Sequence, residues 1–357
     1  MEEMSITTLA GLAGLIIGFG FGALTQTTNF CTMGAVADAV SFGDFKRARA
    51  WLLAVAVAII GAQALQASGV IDLGQSIYLS STFNWFGSII GGLIFGFGMV
   101  LASGCPGRNL ARVGGGDLKA LVVLILIGFF GYATLRGITG LIRVQMETLT
   151  AVNTQSVGLA DHGLGTIVSG ITGMGVSTAT LVMAAIVVLG LLWFCFRDAG
   201  FRASQKDIIA GLGLGALITA GWWVTGVMLA DEFDPQPLAS LTFVAPAGNT
   251  LQYLMTFTGS SINFGIATVF GAILGAFVAA LVRGRFAISG FSDKSDTLRH
   301  FAGATMMGFG GVVALGCTIG QCISGMSTLA LGSVLAFAAI VVGGVFGMKY
   351  LERALGI

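Results

Sequence analysis

Charge is what this chain has least of. Only 9% of its 357 residues are Asp, Glu, Lys or Arg, against about 25% in an ordinary soluble domain. That excludes a water-facing surface over most of the molecule. Hydrophobic residues make up 55%, and the mean hydropathy is +0.94. Several apolar runs reach about 18 residues or more, the length of a membrane crossing. A net charge of +1 leaves no basic face for nucleic acid and no acidic tail. The five cysteines at 31, 105, 195, 317 and 322 show no CxxC spacing, which argues against a zinc site or a thioredoxin-like pair. His162 and His300 stand apart without partner clusters, so neither a metal nor a cofactor is expected. Met1 to Thr8 carries Glu2 and Glu3 instead of a positive leader, so no cleavable signal is expected and the first helix should be retained. Asp38, Asp44 and Asp117 fall near span ends. The lack of a carboxylate deep in a span favours facilitated passage, or pull by a downstream consumer, over proton coupling.

Glycine, by contrast, is abundant, with 56 residues. In a bilayer it permits close helix contact and marks breaks around a cavity. The pattern predicts an all-α polytopic membrane protein with about nine transmembrane helices, over 5–24, 50–68, 85–103, 118–135, 176–196, 207–229, 262–282, 300–315 and 328–348. Four segments are too short or too polar to cross: Thr25–Asp38, Cys105–Val113, Leu241–Gly259 and Cys317–Gly325. They read as re-entrant half-helices, because irregular backbone at membrane depth must be buried in protein or line water. With the N-terminus outside, all of the 17 basic residues except Arg136 and Arg143 fall on the cytoplasmic side, as the positive-inside rule asks. The acidic Asp231–Asp234 loop then faces outward.

One pattern occurs twice. "GFGMVLASGC" ends at Cys105 and "GFGGVVALGC" ends at Cys317. "GFGFGALTQ" at Gly18 is echoed by "GLGLGALIT" at Gly211. On the nine-span topology the helix before Cys105 runs inward and the helix before Cys317 runs outward. This is an inverted-topology internal repeat, an arrangement that puts a transporter's site near the midplane on broken helices of both halves. The chain divides accordingly into a first membrane repeat (1–145), a connecting segment with the fifth helix (146–206) and a second membrane repeat (207–357).

The breaks carry the candidate chemistry. Pro106 suits the first position of a new helix, which puts Cys105 at a cap where free N–H groups favour anions. Arg108 adds a positive charge one turn on; it either attracts substrate or ties re-entrant carbonyls. Cys317 holds the matching place in the second half, with Gln321 corresponding to Asn109. Cys322 lies five residues beyond Cys317, a spacing that on a continuous helix would not share a face, and is a secondary candidate. Cys31 follows the crowded polar run Thr25, Thr27, Thr28 and Asn29, which in lipid must line something wet or cap a short helix. Its counterpart segment, Thr242 to Thr250, has no cysteine, and that asymmetry suggests a direction of passage. Cys195, among large apolar groups, reads as packing. Unpaired thiols on broken helices suit a soft, polarizable solute better than a hard oxyanion. An S–H group donates a weak hydrogen bond to a terminal sulfur, and weak contacts favour passage over trapping.

These residues resemble the YeeE/YedE sulfur-transport family of bacterial inner-membrane proteins. "GCPGRNLARVGGG" is similar to its GCP-x-R-N-L-x-R signature, and "NFCTMGAVAD" and "GCTIGQCISG" to its other cysteine segments. The resemblance implies an hourglass-like protein with nine spans, re-entrant helices and an inverted repeat. It also implies thiosulfate uptake, with Cys31, Cys105 and Cys317 handing the anion along by S–H contacts. A small cytoplasmic sulfur-carrier of the TusA type is the implied partner, with membrane lipid around the protein. The form "TNFCTMGAVAD" departs from the arginine-bearing "RGRxCF" of some thiosulfate importers, and relatives linked to selenium or sulfur oxidation leave other anions open. Two further readings compete: a sulfur-anion sensor or scaffold using the basic loop Arg283–Arg299, and a membrane thiol oxidoreductase, for which Cys317 and Cys322 are the only candidate pair.

Overall fold

The computed structural model describes residues 6–230 and 236–355. The Glu2–Glu3 leader reading and the outward Asp231–Asp234 loop lie outside the described residues. The elements run α1 (Ile6–Thr28), α2 (Thr32–Ala37) with a π-helical turn at Asp38–Phe42, α3 (Lys46–Ala67), α4 (Trp85–Leu101), α5 (Pro106–Gly114), α6 (Leu118–Arg136), α7 (Gly140–Thr150), α8 (Leu164–Thr172), α9 (Val176–Phe196) and α10 (Ala199–Arg202). They continue with α11 (Gln205–Trp223) and a π-helical turn at Val224–Met228, α12 (Val244–Met255), α13 (Phe264–Val282), α14 (Lys294–Val313), a π-helical turn at Gly320–Gly325, and α15 (Leu331–Leu355). The only sheet among the described residues is one antiparallel pair of two-residue strands, β1 (Thr82–Phe83) and β2 (Val152–Asn153).

The protein is a multi-pass membrane protein. Among the described residues, eight helical segments are long and apolar enough to cross a bilayer. They are built on α1, α3, α4 with α5, α6, α9, α11, α13 and α15. The sequence leads to an expectation of about nine, and the one expected span that is not among these eight is that at 300–315. That stretch covers most of α14, a 20-residue helix ending at Val313, whose first two turns carry Lys294, Asp296, Arg299 and His300. The stretch 137–175, for which the sequence predicts no span, holds α7, β2 and α8.

Helices from the first and last parts of the chain interleave. α1 lies along α13, and α3 lies along α11. α4 packs between α14 and α15, and α14 also packs on α6. At the α1–α13 crossing, Gly18 and Gly22 press against the backbone at Thr268 and Ala272, while Gly271 and Gly275 press against Leu15 and Phe19. Small residues let two backbones approach, which drives helix association where lipid supplies no hydrophobic contrast. At one end of the bundle an ionic latch joins α6 to α14. Asp296 accepts hydrogen bonds from Lys119 Nζ at 2.7 Å and Arg299 Nη2 at 3.0 Å.

A side chain at Gly22 would meet the Ala272 carbonyl, which cannot rotate away. Gly22→Leu should therefore cost about 3 kcal/mol or more by overpacking and lower the melting temperature of the detergent-solubilised protein. Gly11→Ala, with only the tip of Ile262 at 3.5 Å, should melt as the wild type does.

Candidate functional site

Two helices end in the same way. At the end of α4, Ser103 N–H donates to Val100 O at 3.1 Å and Gly104 N–H donates to Met99 O at 2.9 Å. At the end of α14, Leu315 N–H donates to Val312 O at 3.0 Å and Gly316 N–H to Gly311 O at 2.7 Å. Ser103 and Leu315 are left-handed, with φ +56° and +61°. Gly104 and Gly316 follow at φ +152° and +159°, where only glycine is unstrained. Each turn closes its helix's last carbonyls in the manner of a Schellman cap and delivers a cysteine next. Cys105 is the N-cap of α5; its carbonyl accepts from Asn109 N–H at 2.9 Å, and that of Cys317 accepts from Gln321 N–H at 2.7 Å.

The break between α1 and α2 is built differently but ends on the same residue type. Asn29 is left-handed at φ +56°, and Cys31 is the N-cap of α2. Its sulfur accepts from Gly34 N–H at 3.3 Å; the Cys317 sulfur likewise accepts from Gly320 N–H at 3.4 Å. Thiols thus stand in for the oxygen caps common on soluble helices.

The polar neighbours brace these breaks. Asn109 Nδ2 donates to the carbonyls of Gly104 (2.9 Å) and Cys105 (3.2 Å). Gln321 Nε2 donates to Ala314 O at 2.7 Å, and its Oε1 accepts from Ser333 Oγ at 2.7 Å. The Gln321 amide thus closes the preceding helix end. Arg108 reaches back to the α1–α2 break, donating to Thr25 O at 3.4 Å and Asn29 Oδ1 at 3.2 Å. Thr28 Oγ1 donates to Leu24 O at 2.7 Å within its own helix. Ser324 Oγ donates to Leu241 O at 2.7 Å, tying the π-helical turn to the chain entering α12.

The three expected thiols come together. Cys105 is close enough to interact electrostatically with both Cys31 and Cys317. Cys105 and Cys317 are buried and Cys31 is half-buried; all are free thiols. Cys322, fully buried, joins the group beside Cys317 and Cys105. Its segment is a π-helical turn, so the face argument for a continuous α-helix does not apply to it. The centre is packed. Gly107, in the first turn of α5, faces Phe21, Phe243 and Ile319, and the Phe21 and Phe243 rings lie 4.6 Å apart. Phe243 is the N-cap residue of α12. The segment noted for its missing cysteine thus puts a phenyl group at its helix cap. Tyr78, near Cys317 and Cys322, and Thr318, beside Cys105, also belong to this centre; no pattern in the sequence marks either.

The remaining candidates lie elsewhere. The Cys195 thiol donates to Arg49 O at 3.3 Å within the core. His162 Nδ1 donates to Ser80 O at 2.9 Å and the ring stacks on Phe83 at 5.0 Å. Burial pushes the His162 pKa below the usual imidazole range, against the opposing pull of the Ser80 carbonyl. His300 Nδ1 sits 2.7 Å from Asp296 O. Among the described residues no three metal-ligating side chains cluster.

Residues 27–346 match the model of the sulphur transport family. The chain belongs to that family. Among its relatives are two proteins named thiosulfate transporter TsuA. The one from Spirochaeta thermophila is 28% identical over 92% of this chain and 96% of its own length. The one from Escherichia coli is 28% identical over 87% of this chain and 86% of its own. A probable transporter YedE of Escherichia coli is 36% identical over 97 residues, 27% of this chain and 22% of its own. The match to the sulphur transport family spans all four helix breaks, and membership makes this chain a transport protein rather than an enzyme.

Gln321→Leu keeps the volume but strands Ala314 O and Ser333 Oγ. Loss of the two buried bonds should cost on the order of 2 kcal/mol. The expected readout is a lower melting temperature together with weakened transport, because the Cys317 cap is no longer held.

Proposed function

We propose that this protein carries thiosulfate across the bacterial inner membrane, past Cys31, Cys105 and Cys317, by weak S–H contacts. The observation that carries this reading is the meeting of three free thiols, each at a helix break, on a chain of the sulphur transport family. The names of the two TsuA relatives, which align over nearly their whole lengths, support thiosulfate as the anion. A neutral thiol has little affinity for hard, strongly hydrated oxyanions, and a polarizable terminal sulfur is its natural acceptor.

In this reading the two halves, 1–145 and 207–357, form an inverted repeat joined by 146–206. The pairing of α1 with α13 and of α3 with α11 supports this, as do the matching turns before Cys105 and Cys317. α2, α5, α12 and the π-helical turn after Cys317 are then the re-entrant elements. The basic residues favour an outside N-terminus and a cytoplasmic C-terminus. The anion enters on the Cys317 side and leaves by Cys31. The basic loop Arg283–Arg299 is then the inner surface on which a TusA-type carrier would dock. The packed waist at Phe21 and Phe243 is a closed state, so passage requires that pair to part.

Uptake of labelled thiosulfate into proteoliposomes, competed with sulfate, sulfite and selenite, tests the reading. Wild-type protein should take up thiosulfate, with sulfate a poor competitor. Cys105→Ala should reduce uptake at least about tenfold, the weight of one hydrogen bond to a charged group, with its melting temperature little changed. Undiminished uptake by Cys105→Ala would remove this thiol from the path.

A further inference from the structure

The cysteines account for only one end of the anion. Thiosulfate has a soft terminal sulfur and three hard oxygens, and an S–H donor serves the first far better than the second. A group that binds the oxygens at the waist has to be a free hydrogen-bond donor facing the thiols. Most polar side chains there are already engaged. Asn109 and Gln321 donate to backbone carbonyls. Arg108 is held on Thr25 and Asn29, and Ser324 on Leu241.

Thr318 is the exception. It follows Cys317 directly, has no exposed surface, and stands beside the Cys105 thiol on the opposing break. Its Oγ1 has no oxygen or nitrogen partner among the described residues; its one polar neighbour is the Cys105 thiol, a weak hydrogen-bonding group. An orphaned buried hydroxyl is destabilising, and native structures keep few of them. Threonine elsewhere in this chain escapes that penalty by donating to the carbonyl four residues back, as Thr28 and Thr250 do. Thr318 lies outside any such turn of helix and cannot. Thr32 follows Cys31 in the same manner and is also unpaired, but it lines a separate groove with Ala35, Trp51 and Phe337. The matching place after Cys105 is Pro106, which has no hydroxyl. Among the described residues, Thr318 is therefore the hydroxyl beside Cys105 that no carbonyl holds; Tyr78 lies on the other side, by Cys317 and Cys322.

We propose that Thr318 is a substrate-binding and specificity-determining residue. Its hydroxyl donates to an oxygen of the sulfur oxyanion while the terminal sulfur lies between Cys105 and Cys317. The inference rests on the transport reading given above and adds to it the contact that orients the anion. With sulfur held by thiols and oxygen by Thr318, an anion bearing both kinds of atom binds in one direction. Sulfate has no soft end for the thiols.

The test uses full-length protein in proteoliposomes with labelled thiosulfate, and the variants Thr318→Val, Thr318→Ala and Thr318→Ser. Thr318→Val keeps the shape and removes the hydroxyl; its uptake below saturation should fall about tenfold or more. Thr318→Ala should fall likewise, and Thr318→Ser should stay within about threefold of wild type. The melting temperature without substrate separates this role from a structural one. Removing an unpaired buried hydroxyl should leave Thr318→Val as stable as wild type or more so, while the rise in melting temperature on adding thiosulfate disappears. Thr318→Ser should keep that rise. If wild type transports thiosulfate and Thr318→Val matches it, or if the serine variant fails as fully as valine and alanine, this assignment is overturned and the transport reading stands. If the wild type takes up no thiosulfate, the transport reading falls and the assignment falls with it.

Discussion

A helix that stops within an apolar surrounding leaves carbonyls and N–H groups that no water can reach. Each unmade hydrogen bond there is costly, so a break survives only if the chain supplies its own partners. The turns at Ser103–Gly104 and Leu315–Gly316 do so from the backbone, and the amides of Asn109 and Gln321 do so from side chains. What is left after each of these breaks is a cysteine followed by the start of the next segment. The thiols converge because the helix ends that carry them have been satisfied elsewhere.

The bundle supports that arrangement by interleaving its halves. With α1 against α13 and α3 against α11, the N-terminal and C-terminal helices are packed together and neither group could drift from the other. The glycines at these crossings put backbone against backbone, which leaves little room for one helix to slide along another. Arg108 crosses from α5 to the α1–α2 break, so the positions of Cys105 and Cys31 are set together. The same link explains how a guanidinium is tolerated here: its donors are turned to a carbonyl and an amide oxygen.

Much of this was legible in the residues. Low charge and long apolar runs gave the class, and the repeated GFG-to-GC pattern marked two breaks whose backbones turn out to match. The three thiols were identifiable because a cysteine beside a helix breaker is unusual. The roles of Asn109 and Gln321 were not legible, since an amide four residues after a cysteine does not reveal whether it points forward to a ligand or back to a carbonyl. Phe243 and Tyr78 escaped notice because aromatic residues are common throughout such a chain. Thr318 becomes visible only when its partners are counted. α14 was expected as an apolar span from its second half alone, whereas its first turns carry the latch on Lys119.

The departures from symmetry are as informative as the repeat. Four short segments start near one centre: two are capped by Cys31 and Cys105, the third follows Cys317, whose sulfur accepts from Gly320 N–H, and the fourth is capped by Phe243. Had the fourth been a thiol, the waist would offer equivalent contacts toward both faces, and nothing local would distinguish entry from exit. A phenyl group gives one quadrant no hydrogen bond and a large apolar surface, packed at a tilt against Phe21. Pro106 and Thr318 break the symmetry again, one a rigid start to a helix and the other an unpaired hydroxyl. On the proposed path, these groups would present different chemistry to an anion according to which end leads. A selective passage needs contacts that are individually weak and jointly directional, and the imperfect repeat proposed here would supply both.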